Sequence, residues 1–170
     1  MKSSLFLWQF GGFTFTCVLG TILHFLFDWT KIVYFAPFSA INESTFEHMK
    51  ILFFPAFIYA FIEAFFLSKE YENFWSAKFI GILLGLLTMP ILFYTLQGSF
   101  GKTAGWVNIL IFFVSAGVSY LSEYFILKSG LIKIKYQLVF TILLCLLALS
   151  FIIFTFYPPN LPLFIDPRIL

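Results

Sequence analysis

Nine consecutive residues, Asn42-Glu43-Ser44-Thr45-Phe46-Glu47-His48-Met49-Lys50, hold the densest run of ionisable and hydrogen-bonding side chains in the sequence. On a helix, Glu43, Glu47 and Lys50 fall on one face at steps of four and three, with His48 about 100° away. A short distance upstream, His24 and Asp28 share a helical face four residues apart. Three kinds of chemistry fit these types and spacings. Ser44 followed by Glu47 matches a capping box, in which early acids also favour the positive end of the helix dipole. Alternatively, His24, Asp28, Asn42, Glu43, Glu47, His48 and Lys50 hold a small polar solute or an ion, with the two acids taking a cationic group, Lys50 balancing them, and the histidines tuning charge near neutral pH. In the third reading, His24, Glu43 and Glu47, with His48 as a further candidate, ligate a divalent metal, because imidazole and carboxylate suit zinc or iron. The paired-histidine spacing of HExxH is absent, and Glu47 and His48, being adjacent, diverge on a helix.

The elements that must position these groups follow from composition. Of 170 residues, 61% are hydrophobic and 11% charged, and mean hydropathy is +0.99. Soluble domains carry roughly 25% charged residues, so the expected class is an all-α integral membrane protein whose partner is the lipid bilayer. About 20 apolar residues are needed per crossing, and five stretches qualify: residues 5–27, 51–68, 77–97, 106–127 and 137–157. They form one membrane domain over 1–170, with a polar connection at 28–50. The first stretch exceeds the roughly 7 to 15 residues of a signal-peptide core and lacks a small-residue cleavage site, so it reads as an uncleaved helix. Pro158 and Pro159 stop the last helix.

With five crossings, Lys2, Lys69, Lys78, Lys128, Lys133 and Lys135 share one side, and Lys31, Lys50, Lys102 and Arg168 the other. This asymmetry puts the N-terminus inside and the His24/Glu43 end outside. Trp29, Tyr34, Trp75, Trp106 and Tyr157 lie near the expected helix ends, as interfacial rings do.

Spacing also assigns helix faces. Thr14, Cys17, Thr21, His24 and Asp28 form one stripe on the first helix; Asn108, Ser115, Ser119 and Ser122, with Glu123 beside them, form another on the fourth. Both are expected to face other helices, since polar groups find no partners in lipid. Ala77, Gly81 and Gly85 make a small-residue ridge on the third helix that lets two backbones approach closely. Glu63 and Glu123 fall within spans, where a carboxylate costs about 2.5 to 3.5 kcal/mol. They belong either to a proton path or to pairs with Lys69, Lys78 or Lys128.

Several functions are excluded on pattern. No basic run exists to neutralise a series of phosphates, so nucleic acid is not an expected partner. Cys17 and Cys145 sit in apolar stretches and read as small hydrophobes without a redox role. Gly98, Gly101 and Gly105 lack the strand-to-helix context of a phosphate-binding loop, and no nucleophile elbow occurs.

Leu23-His24-Phe25-Leu26-Phe27-Asp28-Trp29, the Asn-Glu-Ser-x-x-Glu-His-x-Lys motif at 42–50, and Tyr157-Pro158-Pro159 resemble a family of small bacterial multipass membrane proteins known as a domain of unknown function. The resemblance covers essentially the whole chain. It implies a bacterial cell-membrane location and a role beyond topology for His24, Asn42, Glu43, Ser44, Glu47, His48 and Lys50. The expected function is binding or translocation of a small polar solute or ion at an outward-facing site. The alternatives are a metal-dependent membrane-embedded enzyme and an accessory subunit that contacts another membrane protein or a second copy of itself.

Overall fold

A computed structural model describes residues 4–101, 104–132 and 136–168. Lys2, Lys102, Lys133 and Lys135, four of the charges that orient the chain, lie outside the described residues. Among the described residues there is no strand. Five long helices run α1 (Leu5–Thr30), α2 (Thr45–Leu67), α3 (Phe74–Phe100), α4 (Gly105–Ser129) and α5 (Gln137–Phe156), with short 3-10 turns at Val33–Phe35 and Pro162–Phe164. Each long helix has the length and hydropathy to cross a membrane, and the exposed surface is apolar, with Phe6, Phe10, Phe65, Phe125, Leu138 and Leu146 all turned outward. A multipass membrane protein is the class these five helices define. Trp29, Tyr34, Trp106 and Tyr157 are exposed near helix ends, as the interface favours for amphipathic rings.

The second helix begins at Thr45 rather than Ile51. Apolar content starts at Ile51, but the cap starts the helix: Ser44 Oγ accepts from the Glu47 backbone N–H, an arrangement worth about 1 kcal/mol. Lys50, His48 and Glu47 are thereby drawn inside the helix. Its central position makes α2 the core element, and Leu52, Phe53 and Ala60 are fully buried. Phe53 stacks on Phe151 of α5 with ring centroids 5.0 Å apart.

The most extensive helix pair is α3 with α4. The small-residue ridge causes it: a Cβ added at Gly85 would lie 2.8 Å from both Ser115 O and Ser119 Cβ, and one at Gly81 would lie 2.8 Å from Ser119 O. Ser115, Ser119 and Glu123 are accordingly buried, as their spacing predicts. Gly85→Val should therefore lower stability by about 2 kcal/mol or more, whereas Gly117→Ala, which meets nothing within 4 Å, should leave it unchanged or slightly raised. Denaturant midpoints of the two variants in detergent measure the difference.

The expected inward stripe of α1 is corrected. Its buried face is Gln9, Gly12, Thr16, Cys17, Gly20 and Leu23, while Thr14, Thr21 and Asp28 are exposed. The two threonines need no neighbouring helix, because each hydroxyl donates to its own helix, Thr14 to Phe10 O and Thr21 to Cys17 O.

Candidate functional site

At the end of the bundle where α1 stops and α2 starts, the connection folds back instead of running straight across. Lys31 adopts the left-handed conformation, φ 55°, and its N–H bonds to Phe27 O, closing α1. Ala40 N–H then donates to Leu23 O at 3.2 Å, which holds the incoming strand of loop against the last turns of α1. Asn42 Oδ1 accepts from Ser44 N–H at 2.8 Å, an Asx turn that leads directly into the Ser44 cap.

The nine-residue motif divides into two sets with different duties. Glu47 and Lys50 are 2% and 0% exposed and form an ion pair at 2.6 Å. Lys50 Nζ also donates to Ala36 O and to Thr155 Oγ1 of α5, so all three of its protons are used. Glu47 Oε2 accepts from Ile41 N–H at 2.9 Å. Together with Asn42 and Ser44, this pair fastens the loop to α2 and α5. Its groups are consumed by structure.

Glu43 and His48 point the other way, toward His24. Glu43 Oε2 lies 3.7 Å from His24 Nε2 and 3.5 Å from His48 Nε2, and one ligand-capable atom from each residue lies within 4.8 Å of the other two. His48 Nδ1 sits 2.9 Å from Ser44 O. A carbonyl only accepts, so Nδ1 carries a proton, and in the neutral imidazole Nε2 then presents a lone pair to the cluster, the orientation that metal-ligating histidines take from such partners. Interaction with the His24 ring holds the Glu43 carboxyl below the ordinary carboxylate range, opposed by its partial burial and reinforced by His48. Glu43 is therefore an anion at neutral pH.

Beside the cluster lies a cavity of about 290 Å³. His24, Glu43, His48 and Asn108 meet at one side of it, and Phe25, Ile51, Ile109, Phe112 and Phe113 line most of the rest, with Gly20, Thr21 and Gly105 completing the wall. A smaller space of about 20 Å³ lies beyond Glu43, His48 and Asn108, against Met89 and Phe93. Among the described residues, His24 Nδ1 and Asn108 Oδ1 are buried polar atoms without a hydrogen-bond partner. Buried polar atoms are ordinarily paired; Gln9 Oε1 and the Ser39, Ser115 and Ser119 hydroxyls also lack partners elsewhere, and the two at this cluster belong to residues that line a single cavity.

The segment after α5 also reaches this end, as five crossings place it, and its individual contacts are what the structure adds. Phe164 packs on Phe46 with centroids 4.5 Å apart, Asp166 Oδ2 accepts from Glu43 N–H, and Arg168 Nη1 lies 4.0 Å from Glu43 Oε1. Hydrogen bonding from Arg168 brings the Asp166 carboxyl down to about 2. A depressed carboxyl contributes stability above its unfolded value near 3.8 and loses it as pH falls toward 2, so this clasp persists throughout the neutral range.

Of the residues expected at the site, the structure brings together His24, Glu43 and His48. Asn42 supports the loop. Glu47, an expected metal ligand, is instead bound by Lys50 and Ile41 N–H, because its helix position turns it away from His48. Asp28 is exposed and paired with Lys31 at 2.8 Å. Asn108 joins from α4.

A second ionic cluster lies near the opposite end. Glu63 of α2 and Glu123 of α4 both pair with Lys78 of α3, and Gln9 Nε2 of α1 donates to both carboxylates at 2.7 and 3.2 Å. All three charged residues are at most 1% exposed. Of the two sequence readings, pairing with a lysine accounts for both acids.

No curated protein and no solved structure matches this chain. A family model does, over residues 1–169. With its five apolar helices and its polar cluster at one end, the chain belongs to the family of unknown function DUF6512.

Proposed function

We propose that this protein is a membrane-embedded divalent-metal-binding protein, with His24, Glu43 and His48 as the ligands. The observation that carries the reading is the convergence of two imidazoles and one carboxylate within 4.8 Å, with His48 Nε2 freed by the bond at its other nitrogen. A tetrahedral ion about 2.1 Å from each ligand requires roughly 3.4 Å between ligand atoms. The 3.5 and 3.7 Å separations to Glu43 already approach that, and small side-chain rotations supply the rest.

Two histidines and one carboxylate with a remaining open position form the set that zinc and iron use when the metal acts on a ligand. Such an ion supplies Lewis acidity and lowers the pKa of a bound water. This chain's contribution is to fix the ligands through the Ser44 carbonyl and the loop, to place Asn108 as a hydrogen-bonding group, and to shield the site with phenylalanines. On the Lys/Arg asymmetry, the site lies at the outer side of a bacterial cell membrane.

Elemental analysis of detergent-purified protein tests the reading. About one zinc or iron per chain is expected, with affinity falling roughly 100-fold or more in Glu43→Ala or His48→Ala while the melting temperature of the metal-free protein changes little. Wild-type protein that takes up no metal when titrated with zinc and ferrous iron would overturn it. Metal ligands bind in their deprotonated forms, so affinity should decline as the pH is lowered, which zinc titrations at a series of pH values measure.

A further inference from the structure

The cavity beside His24 and His48 has a direction, and that direction identifies a class of ligand. His24 lies six residues below the end of α1, about 9 Å at 1.5 Å per residue; His48 and Asn108 lie three residues inside α2 and α4, about 5 Å. These polar groups sit at the depth of lipid headgroups. Phe113 lies about 12 Å, and Gly20 about 15 Å, below the same end, within the outer half of a hydrocarbon core about 30 Å thick. The cavity thus runs from headgroup depth to acyl-chain depth between α1 and α4.

Its mouth opens sideways. Phe25, Ile109 and Phe113 line the cavity and are also 44%, 60% and 39% exposed, so they face both its interior and the lipid. A freely water-soluble solute gains nothing from such a wall. A chain of methylenes does, at about 25 cal/mol per Å² of apolar surface covered.

Charge completes the description. Two neutral imidazoles and the Glu43 carboxylate around a divalent ion leave one net positive charge, and Arg168, 4.0 Å from Glu43, is balanced by its partner Asp166. Asn108 can present either end of its amide, and its Oδ1 lacks a partner. An oxyanion satisfies the open position on the ion.

We infer that the metal-loaded site binds an anionic amphiphile, a phosphate- or carboxylate-headed molecule whose hydrocarbon tail leaves the cavity between α1 and α4 into the bilayer. The inference rests on the metal reading above and deepens it by naming what the ion holds. About 290 Å³ accommodates a headgroup with its first few methylenes, near the lower bound of ligand sites; the remaining tail stays in lipid.

The test uses the full chain in a non-ionic detergent, titrated first with zinc alone and then with four probes: dodecyl phosphate, dodecanoate, inorganic phosphate and dodecyltrimethylammonium. Calorimetry or native mass spectrometry reads the binding. Both dodecyl anions should bind the zinc-loaded protein at least tenfold more tightly than inorganic phosphate or dodecyltrimethylammonium, and removing zinc should abolish this preference. Ile109→Trp, which fills the mouth without touching a metal ligand, should keep zinc affinity and weaken both dodecyl anions at least tenfold.

Zinc binding with equal affinity for dodecyl phosphate and inorganic phosphate would leave the metal reading intact and overturn the amphiphile. The same holds if Ile109→Trp binds the dodecyl anions as wild type does. Absence of zinc binding in the first titration would overturn both, and it is recorded before any probe is added.

Discussion

Lys78→Met should lower the stability of the protein by about 3 to 5 kcal/mol, the cost of removing one partner from a buried ion pair. The side chain is 1% exposed and bridges Glu63 and Glu123, themselves 0% and 1% exposed. Without the ammonium, two carboxylates face each other in the bundle interior with only Gln9 Nε2 between them. The Tyr59 and Tyr120 rings, 5.8 and 5.6 Å from Nζ, also lose the cation they face. Adding Glu63→Gln and Glu123→Gln to Lys78→Met should restore much of the loss, because replacing a whole buried ionic set by neutral groups is often close to neutral. Unfolding in detergent followed by circular dichroism measures both steps. A Lys78→Met protein that unfolds at the wild-type midpoint would show that the cluster contributes nothing to stability.

Glu47→Ala is expected to produce a loss of similar size at the other end of the bundle. It leaves Lys50, fully buried, with only the Ala36 carbonyl and the Thr155 hydroxyl, and it frees Ile41 N–H. The expected cost is again about 3 to 5 kcal/mol. Adding Lys50→Met should recover part of it by removing the uncompensated charge, although Ile41 N–H remains unpaired. Glu43→Ala, four residues earlier, should behave in the opposite way, with the stability of the metal-free protein near wild type and metal affinity lost. Measuring melting temperature and zinc uptake on Glu47→Ala and Glu43→Ala together separates the two duties of the motif. Equal effects of both substitutions on both quantities would contradict that division.

The five helices were legible because twenty apolar residues in a row satisfy the bilayer and little else, and the Gly81/Gly85 ridge was legible because its effect is local to one helix face. The start of α2 was visible in Ser44 as a cap, although apolar content placed it at Ile51; the reciprocal half of the expected capping box does not form, because Asn42 Oδ1 takes the Ser44 N–H and Glu47 turns to Ile41 N–H and Lys50. What sequence could not give was the identity of partners across long separations. Lys50 reaches Ala36 and Thr155, which spacing along one helix cannot reveal, whereas Lys78 was one of three lysines the sequence offered to Glu63 and Glu123, and the structure selects it for both. Glu47 illustrates the difficulty: an acid at a helix start suits a cap, a ligand or an ion pair equally, and only the position of Lys50 Nζ decides. Thr14 and Thr21 misled for a different reason, since a threonine that bonds its own helix carbonyl tolerates lipid. His24, Glu43 and His48 came together because the loop turns back at Lys31 and Ala40, a turn whose path depends on the bond to Leu23 O.

The three ligand side chains occur within one uninterrupted piece of chain, on α1, the loop and α2, whereas Asn108, Ile109 and Phe113, which wall the cavity, come from α4. Assembly in the membrane therefore has an order. Once the first two helices have paired and Ala40 has bonded to Leu23, a cation can be captured by the hairpin alone, and closing a loop of about twenty residues this way cross-links two helices that would otherwise be held by packing. The cavity is complete only with α4 against that hairpin. On the proposed reading, ion capture needs only the first two helices, whereas selectivity for what the ion holds needs the fourth.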